Sequence, residues 1–155
     1  MYSNEIVCDI LDYIELNINN KITINDISKK LCYDRYYLMK LFKKEIKMSI
    51  IDYINSIRIY NSFNHIKNNY SFFKVAISNG FYSLEYFSET FKNIIGINPT
   101  TYKKIINYDR NISENDLIKY TENITKLKLL IEYKNNYKNN RNKNIKHVKK
   151  LSIFK

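Results

Sequence analysis

The chain contains few of the residues that form tight turns, with two glycines and one proline among 155 residues. β-Sandwiches and β-barrels need a turn after every short strand, and those turns depend on glycine and proline. Their scarcity argues against such folds and favours helices. Tryptophan is absent, but 15 tyrosines and 8 phenylalanines supply large side chains for a core. At this length we expect one ordinary domain, or two very small ones with a tail.

Cysteine and histidine are also scarce, with two of each in the chain. Cys8 and Cys32 fall at apolar positions of predicted helices, so we interpret both as reduced core residues. His65 and His147 have no cysteine, histidine or carboxylate at ligand spacing, and we therefore expect no metal site. No cofactor is expected either.

Patterns typical of enzymes and of membrane proteins are missing as well. The sequence has no paired-acid site, no nucleophile–base arrangement and no glycine-rich phosphate loop at informative spacing. No stretch approaches the roughly 18 uncharged apolar residues of a membrane-spanning helix, and the N-terminus does not resemble a signal peptide. We therefore expect a cytoplasmic protein that is not an enzyme and has no membrane partner.

Acidic residues are absent from 134–155, a segment that holds eight lysines and arginines. Residues 1–104 carry 14 basic and 10 acidic side chains, and 105–133 carry 4 and 5. The net charge of +11 therefore sits mostly in the tail, and the region before it is only mildly basic. A polyanionic partner suits the total charge, but the total alone does not establish DNA binding.

The chain does contain a duplicated pattern that is typical of a helix-turn-helix. In each copy a branched apolar residue and a small residue precede a turn, and an aromatic–apolar pair and then Phe-Lys follow it. The first copy has Ile27-Ser28, Tyr37-Leu38 and Phe42-Lys43, and the second has Val75-Ala76, Tyr86-Phe87 and Phe91-Lys92. Tyr53 and Tyr102 close the two units 49 residues apart. Two such motifs on one short chain can place two helices in DNA.

Apolar periodicity and capping residues predict an all-α fold of two three-helix units joined by a linking helix. Ile6, Ile10 and Ile14 form the apolar stripe of the first helix. Thr23, Asp34 and Ser83 precede later helices as capping residues, and Pro99 lies in the first turn of another. The further helices are expected at about 25–31, 35–46, 50–67, 72–78, 84–95 and from residue 99 onward.

A C-terminal helical and basic extension follows the two units. Ser113 and Asp116 have the spacing of a capping box. Beyond them Leu117, Tyr120, Ile124, Leu127 and Ile131 form a heptad seam. This seam indicates either a helix that packs on its own domain or a helix that mediates a weak dimer. The Asn/Lys-rich segment 134–155 has little apolar periodicity, so we expect a disordered basic tail.

The second unit closely resembles the signature of the AraC/XylS family of transcription regulators. Its matching residues are Val75-Ala76, Gly80-Phe81, Tyr86-Phe87-Ser88, Phe91-Lys92, Gly96, Pro99 and Tyr102-Lys103. The first unit is similar to the weaker N-terminal copy of the family through Ile27-Ser28, Tyr37-Leu38, Leu41-Phe42-Lys43, Tyr53 and Arg58. The resemblance implies a double helix-turn-helix DNA-binding domain over 1–104, and the patterns described above place a helical extension over 105–133 and the tail over 134–155.

The resemblance also implies which residues meet DNA in the first unit. Recognition helix 35–46 would turn Arg35, Tyr36, Met39, Lys40 and Lys43 outward. By family position Tyr36, Met39 and Lys40 would face base edges, and Lys43 would contact a phosphate.

In the second unit the corresponding helix 84–95 would present Leu84, Glu85, Ser88, Glu89 and Lys92. The family usually has a small polar residue at the position of Glu85 and a polar or basic one at that of Glu89. Two carboxylates facing the duplex are unfavourable unless they accept hydrogen bonds from cytosine N4, whereas Leu84 can touch a thymine methyl. This helix either reads sequence, fits the duplex by shape, or contacts another protein.

Other positions also depart from the family pattern. Lys47 and Cys32 stand where the first unit usually has glycine, and His65 stands at a usually aliphatic core position. We interpret His65 as a partly exposed residue at the edge of the core.

These observations favour a sequence-specific transcription regulator that places helices 35–46 and 84–95 in successive major-groove segments. Double-stranded DNA at promoter operator sites is the expected partner, with RNA polymerase as a second candidate. The chain is expected to be a monomer, or a weak dimer through 117–131. The main alternative is a degenerate module that acts through protein–protein contacts, and a lesser one is RNA or anionic-membrane binding through the tail.

Overall fold

A computed structural model describes residues 2–152 of the chain, and its side chains over 4–143. Within these residues the protein consists of eight helices without a strand, which confirms the all-α prediction. The helices are α1 (Tyr2–Asn17), α2 (Ile24–Leu31), α3 (Arg35–Ile46), α4 (Ile50–Lys67), α5 (Phe72–Ser78), α6 (Leu84–Ile95), α7 (Pro99–Ile106) and α8 (Glu114–Ser152).

Local capping interactions set where the short helices begin. Thr23 and Asp26 form a reciprocal capping box at the start of α2. Asp34 accepts hydrogen bonds from two backbone amides of α3, and Ser83 accepts one from Tyr86 of α6. Each cap satisfies amide groups that have no partner within their own helix. The starts of these helices are therefore encoded by residues next to one another in the sequence, as expected.

The first unit packs α1, α2, α3 and the N-terminal half of α4 around one core. Its fully buried side chains include Ile10, Ile14, Ile27, Leu38 and Phe42. The rings of Phe42 and Tyr53 meet edge to face, with centroids 5.4 Å apart. Burial of each such side chain contributes roughly 1.5–3 kcal/mol to folding.

The second unit repeats this arrangement with α5, α6, α7 and the C-terminal half of α4. Phe87 and Phe91 of α6 are fully buried, and Phe63 of α4 stacks on Tyr102 of α7 at a centroid distance of 4.9 Å. Burial raises the pKa of Tyr102 well above its usual range, so this hydroxyl stays protonated. The linking helix α4 thus contributes side chains to both cores, as the linking role predicted for 50–67 requires.

The two units meet at Arg58 and Gly80. Arg58 lies in α4, is 8% exposed, and donates to the backbone oxygens of Ile18 and Asn20 at 2.9 and 2.7 Å. Burial lowers the pKa of this guanidinium, but arginine remains charged. Gly80 lies against it with φ +81°, and a Cβ there would be 2.7 Å from the Ile18 oxygen. The α5–α6 turn therefore packs directly on the loop after α1.

The expected heptad seam of α8 packs within the chain. Ile124 and Leu127 are buried against the second core, with Tyr120 partly buried beside them. Ile131 packs against the first core, whereas Leu117 is exposed. The seam is therefore covered intramolecularly, which agrees with the first of the two interpretations above and leaves little of it for a dimer contact.

The expectation of a disordered tail over 134–155 is wrong for most of that segment. Residues 134–152 continue α8 without a break, and 153–155 lie outside the described residues. Lys134, Lys138 and Arg141 form ion pairs with acidic side chains of α1. These long-range partners stabilise a helix whose own composition has little apolar periodicity.

The two cysteines differ in their surroundings. Cys8 is buried, as expected, and burial raises the pKa of its thiol. Cys32 is exposed, contrary to the expectation of a core residue, because it ends α2 in the left-handed conformation with φ 57°. This backbone turn points its side chain away from the core at the place where the family usually has glycine.

His65 lies at the edge of the second core, as expected. It is partly exposed, and its Nδ1 is 3.1 Å from the Nδ2 of buried Asn79. Because that amide donates, the imidazole accepts at Nδ1. Among the helices described here, none combines the length and the apolar character that crossing a bilayer requires.

We predict that Gly80→Ala destabilises the protein more than Gly96→Ala. Both glycines have positive φ, but a Cβ at Gly80 meets a backbone oxygen, whereas one at Gly96 meets the movable side chain of Asn123. We expect losses of about 2–4 and 1–2 kcal/mol in the free energy of unfolding, measured by urea denaturation. Equal losses would show that the contact with Ile18 does not constrain the junction.

Candidate nucleic-acid interface

The α3 helix presents a basic and aromatic face opposite its core side. Its buried residues are Leu38, Leu41, Phe42 and Ile46. All five predicted interface residues of this helix are exposed: Arg35, Tyr36, Met39, Lys40 and Lys43. A major groove accepts an α-helix whose outward side chains carry donors and apolar groups of this kind. The predicted exposure of these five side chains is therefore confirmed, and their contact with DNA stays a prediction.

At the start of α3 two predicted interface side chains interact with each other. Arg35 donates from Nη2 to the Tyr36 hydroxyl at 2.7 Å, and its guanidinium carbon lies 4.6 Å from the ring centroid. Tyr36 remains 64% exposed. Arginine stacked on an aromatic ring keeps its other N–H groups free to donate. The pair therefore forms a preorganised donor group at the N-terminal end of the helix.

Two further tyrosines extend the α3 face. Tyr33, in the turn before the helix, and Tyr37 are each nearly half exposed, with centroids 5.8 Å apart. In the sequence Tyr37 is recognisable only as a motif position, and Tyr33 is not predicted, because no position of the duplicated pattern includes it.

The α6 helix is positioned in the same way but exposes different chemistry. Phe87, Thr90, Phe91 and Ile95 form its buried side. Glu85, Glu89 and Lys92 are exposed, as expected. Leu84 and Ser88 are only partly exposed, and Leu84 packs against the second core. The residues expected on the outward face of α6 therefore do lie on one side of the helix, but Leu84 also packs against the core.

The N-terminal end of α6 carries an aromatic pair, Tyr82 and Tyr86, that is not among the predicted site residues. Tyr82 is 79% exposed and stacks on Tyr86, with centroids 4.7 Å apart and the rings inclined by 14°. The Tyr86 hydroxyl accepts a hydrogen bond of 2.9 Å from Asn55 Nδ2 of α4. These contacts hold Tyr82 outward at the N-terminal end of the helix. Only the tertiary contact between α4 and α6 reveals this arrangement.

The two acidic residues of α6 have different settings. Glu85 lies in the first turn, where a carboxylate stabilises the helix by interacting with its dipole. Glu89 lines a cleft of about 510 Å³ between α4 and α6, together with Asp52, Asn55 and Asn93. The helix dipole explains a carboxylate at position 85. Glu89 and Asp52, in contrast, make the cleft acidic. The outward face of α3 is therefore basic, whereas that of α6 carries both acidic and basic side chains.

No group of three or more histidine, cysteine, aspartate or glutamate side chains in the described part of the chain could hold a metal ion. The absence of a cofactor remains a prediction.

Comparison with known proteins agrees with this geometry. Residues 27–105 match a family described as a helix-turn-helix domain. The fold is similar to a transcriptional regulator with an AraC-type DNA-binding domain from Chromobacterium violaceum, at a TM-score of 0.60 and 21% identity, covering 70% of this chain and 97% of that one. The chain belongs to the AraC/XylS family.

Two other relatives are similar over the same region. A DNA-binding transcriptional dual regulator from Escherichia coli K-12 has a TM-score of 0.58 and 25% identity, covering 66% of this chain and 93% of that one. The transcriptional regulatory protein HptR of Staphylococcus aureus is 29% identical over 103 residues, which are 66% of this chain and 41% of HptR. This AraC/XylS-family chain thus spans less than half the length of that relative. Both relatives are regulators, in agreement with the expectation that the chain is not an enzyme.

Proposed function

We propose that this chain is a sequence-specific double-stranded DNA-binding transcription regulator that places α3 and α6 in successive major-groove segments. The observation that carries the proposal is the exposed Arg35, Tyr36, Met39 and Lys40 face on the second helix of a helix-turn-helix. In this motif the second helix enters the major groove and its N-terminal side chains meet base edges. Membership of the AraC/XylS family supports the same reading.

The two units are proposed to contribute unequally. The α3 face combines guanidinium, ammonium and phenol donors, which suit phosphates and the acceptors of guanine and adenine. The α6 face carries Glu85 and Glu89 beside the single basic residue Lys92, so it gains less from a polyanion. We therefore expect α3 to supply most of the specificity. A cytoplasmic location and contact with RNA polymerase also remain predictions.

A second function is favoured by the cleft beside α6. Glu89 and Asp52 line it, and Ile51 in its wall is 49% exposed. Such a mixture of acidic and apolar groups suits a protein segment with basic and apolar side chains. In this alternative the second unit binds protein rather than DNA. RNA or membrane binding through the tail is less favoured, because three of its basic residues are engaged with α1.

Selection of bound sequences from random double-stranded DNA tests the proposed function. We expect a two-part motif whose halves are about 10–10.5 bp apart, since that spacing presents two major-groove segments on one face of the duplex. Binding of random DNA without enrichment of any motif would contradict sequence-specific recognition. A one-part motif would confine base reading to a single unit.

We predict that Lys40→Ala weakens binding to the selected site by about 1–3 kcal/mol and relaxes preference at one base position. The reason is that Lys40 is exposed at the centre of the α3 face, one turn after Tyr36. Titration of specific and random DNA with the variant measures both effects. A matched control is Lys44→Ala, which removes an exposed lysine of the same helix outside the predicted base-reading set. Equal losses on both DNAs would make Lys40 a phosphate contact.

We predict that Glu89→Arg raises DNA affinity by roughly tenfold, or about 1.4 kcal/mol, if α6 enters the duplex. The substitution removes repulsion from phosphates and adds a donor, and circular dichroism should show an unchanged fold. Glu122→Arg on exposed α8 makes the same charge change elsewhere and serves as the control.

Two other outcomes of the Glu89→Arg titration carry information. A weaker native site with altered preference at one base would assign Glu89 to a cytosine. Identical affinities of Glu89→Arg and Glu122→Arg for DNA would remove α6 from the interface and favour the protein-contact alternative.

A further inference from the structure

The C-terminal half of α8 lies on α1 through a row of ion pairs. Lys138, at the centre of the row, contacts both Asp12 and Glu15, and Arg141 contacts both Asp9 and Asp12. The N–O distances are 3.3 Å for Lys134–Glu15, 2.7 Å for Lys138–Asp12, 2.8 Å for Arg141–Asp9 and 3.0 Å for Arg141–Asp12. The hydrogen bond from Lys138 holds the pKa of Glu15 below its usual value. These contacts form a connected network rather than isolated pairs.

Helical spacing explains why the network forms. Lys134, Lys138 and Arg141 follow one another at four and three residues, so they share one face of α8. The acidic residues of α1 also recur every three residues, and the pairs run in opposite directions along the two helices. Tyr137 lies on the same α8 face, packs against the first core and donates from its hydroxyl to Asn4 Oδ1 at 2.9 Å.

The preceding part of the same helix belongs to the second unit. Ile124 and Leu127 are buried in the second core, and Leu130 contacts both cores. Gly96 at the end of α6 admits this close approach, because a Cβ there would lie 2.8 Å from Asn123 Nδ2 of α8. One continuous helix is therefore attached to the second unit through residues 120–130 and to the first unit through residues 130–141.

We propose that α8 is a brace that holds α3 and α6 at one relative orientation, with Lys138 and Arg141 as positioning residues. As a consequence, the chain accepts only one spacing between the two halves of its DNA site, although neither residue lies on the proposed DNA face. This consequence rests on the function proposed above. The units are already joined by α4 and by the contact of Arg58 and Gly80 with the loop after α1, and α8 adds a third connection that opposes the rotation these two leave.

The network is strong enough for this role only as a whole. Single ion pairs at partly exposed positions contribute little, because solvent screens them and long side chains lose entropy. Here Arg141 and Lys138 each contact two carboxylates, and Tyr137 directly before Lys138 adds an apolar contact with the first core. Exposed charges are screened more strongly as salt rises, so the brace should loosen at high ionic strength.

Charge reversal with rescue tests the brace in the full chain. Lys138→Glu/Arg141→Glu disrupts the network, and adding Asp9→Lys/Asp12→Lys restores opposite charges at the pairs with positions 9 and 12 and the original net charge, while Glu15 keeps its pair with Lys134. Lys126→Glu/Lys128→Glu is the matched control: both are exposed residues of α8 outside the ion pairs with α1. Circular dichroism establishes that every variant remains helical.

The orientation of the units is measured without DNA, by spin-label distances between Lys44→Cys in α3 and Lys104→Cys in α7. Both sites are exposed. Cys32→Gly removes the exposed native thiol at a position whose positive φ suits glycine, while Cys8 is buried from the label. We expect one narrow distance distribution for the parent and control, a broad one for Lys138→Glu/Arg141→Glu, and a narrow one after rescue. The parent distribution should also broaden at 1 M salt, where the Debye length falls to about 3 Å. An unchanged distribution in the reversed variant would overturn the brace.

Binding to a spacing series of the selected site then tests the consequence for DNA. Insertion of two base pairs rotates one half-site by about 70°. Such an insertion should weaken the parent and the control at least about tenfold, since the contacts of one half-site are lost. For the reversed variant the same insertion should weaken DNA binding less than about threefold relative to its own best site. The rescued variant should again discriminate between spacings as the parent does.

The outcomes separate the two proposals. Broadened distances without enrichment of any DNA motif would retain the brace and refute the proposed DNA function. If a two-part site is found and the parent and the reversed variant tolerate changes in its spacing equally, the proposed DNA function is retained. Lys138 and Arg141 would then not determine which spacing the chain accepts.

Discussion

Burial of the Arg58 guanidinium is the constraint on which the arrangement of the two units depends. A buried charge is costly unless its donors are satisfied. Arg58 obtains its partners from the backbone oxygens of Ile18 and Asn20, in the loop between α1 and α2. The same group lies 5.9 Å from the centroid of the Phe81 ring. One side chain of the linking helix therefore fixes a loop of the first unit against the turn of the second.

Gly80 makes that junction sterically possible, and the junction in turn constrains the start of α6. Because the backbone at Gly80 contacts the Ile18 oxygen, the α5–α6 turn has little room to move. Phe81 and Phe87 pack edge to face directly after it, with centroids 5.3 Å apart. The N-terminal end of α6, where a helix in the major groove meets bases, is thus held against the first unit, while α8 contacts both units farther along the chain.

The duplicated motif has produced two helices with the same packing and different surfaces. In both, successive turns bury large apolar residues, so the same packing requirement acts on the core side of each helix. The outward side is not constrained by packing, and it carries basic and aromatic groups in α3 but two carboxylates in α6. The basic residues of the chain are also divided between surface and fold. Those of α8 form ion pairs with acidic residues of α1. Three basic residues of the tail, Lys134, Lys138 and Arg141, therefore serve the fold.

The sequence alone determined whatever depends on neighbouring residues. Apolar spacing placed the helices α2 to α7 within a residue or two, the capping residues marked their starts, and the inward positions of Leu38 and Phe42 defined the outward face of α3. The repeat and its resemblance identified the family, because over a dozen positions at fixed spacing specify two such units together.

Only the tertiary structure decided the features that depend on distant partners. Arg141 and Asp12 lie 129 positions apart, so no local pattern could show that the basic segment is a helix packed on α1. The exposure of Cys32 follows from a backbone turn, and the outward placement of Tyr82 follows from a hydrogen bond between α4 and α6. Helix formation is governed by interactions within a few residues, whereas the pairing of surfaces is governed by which faces meet after the chain has folded.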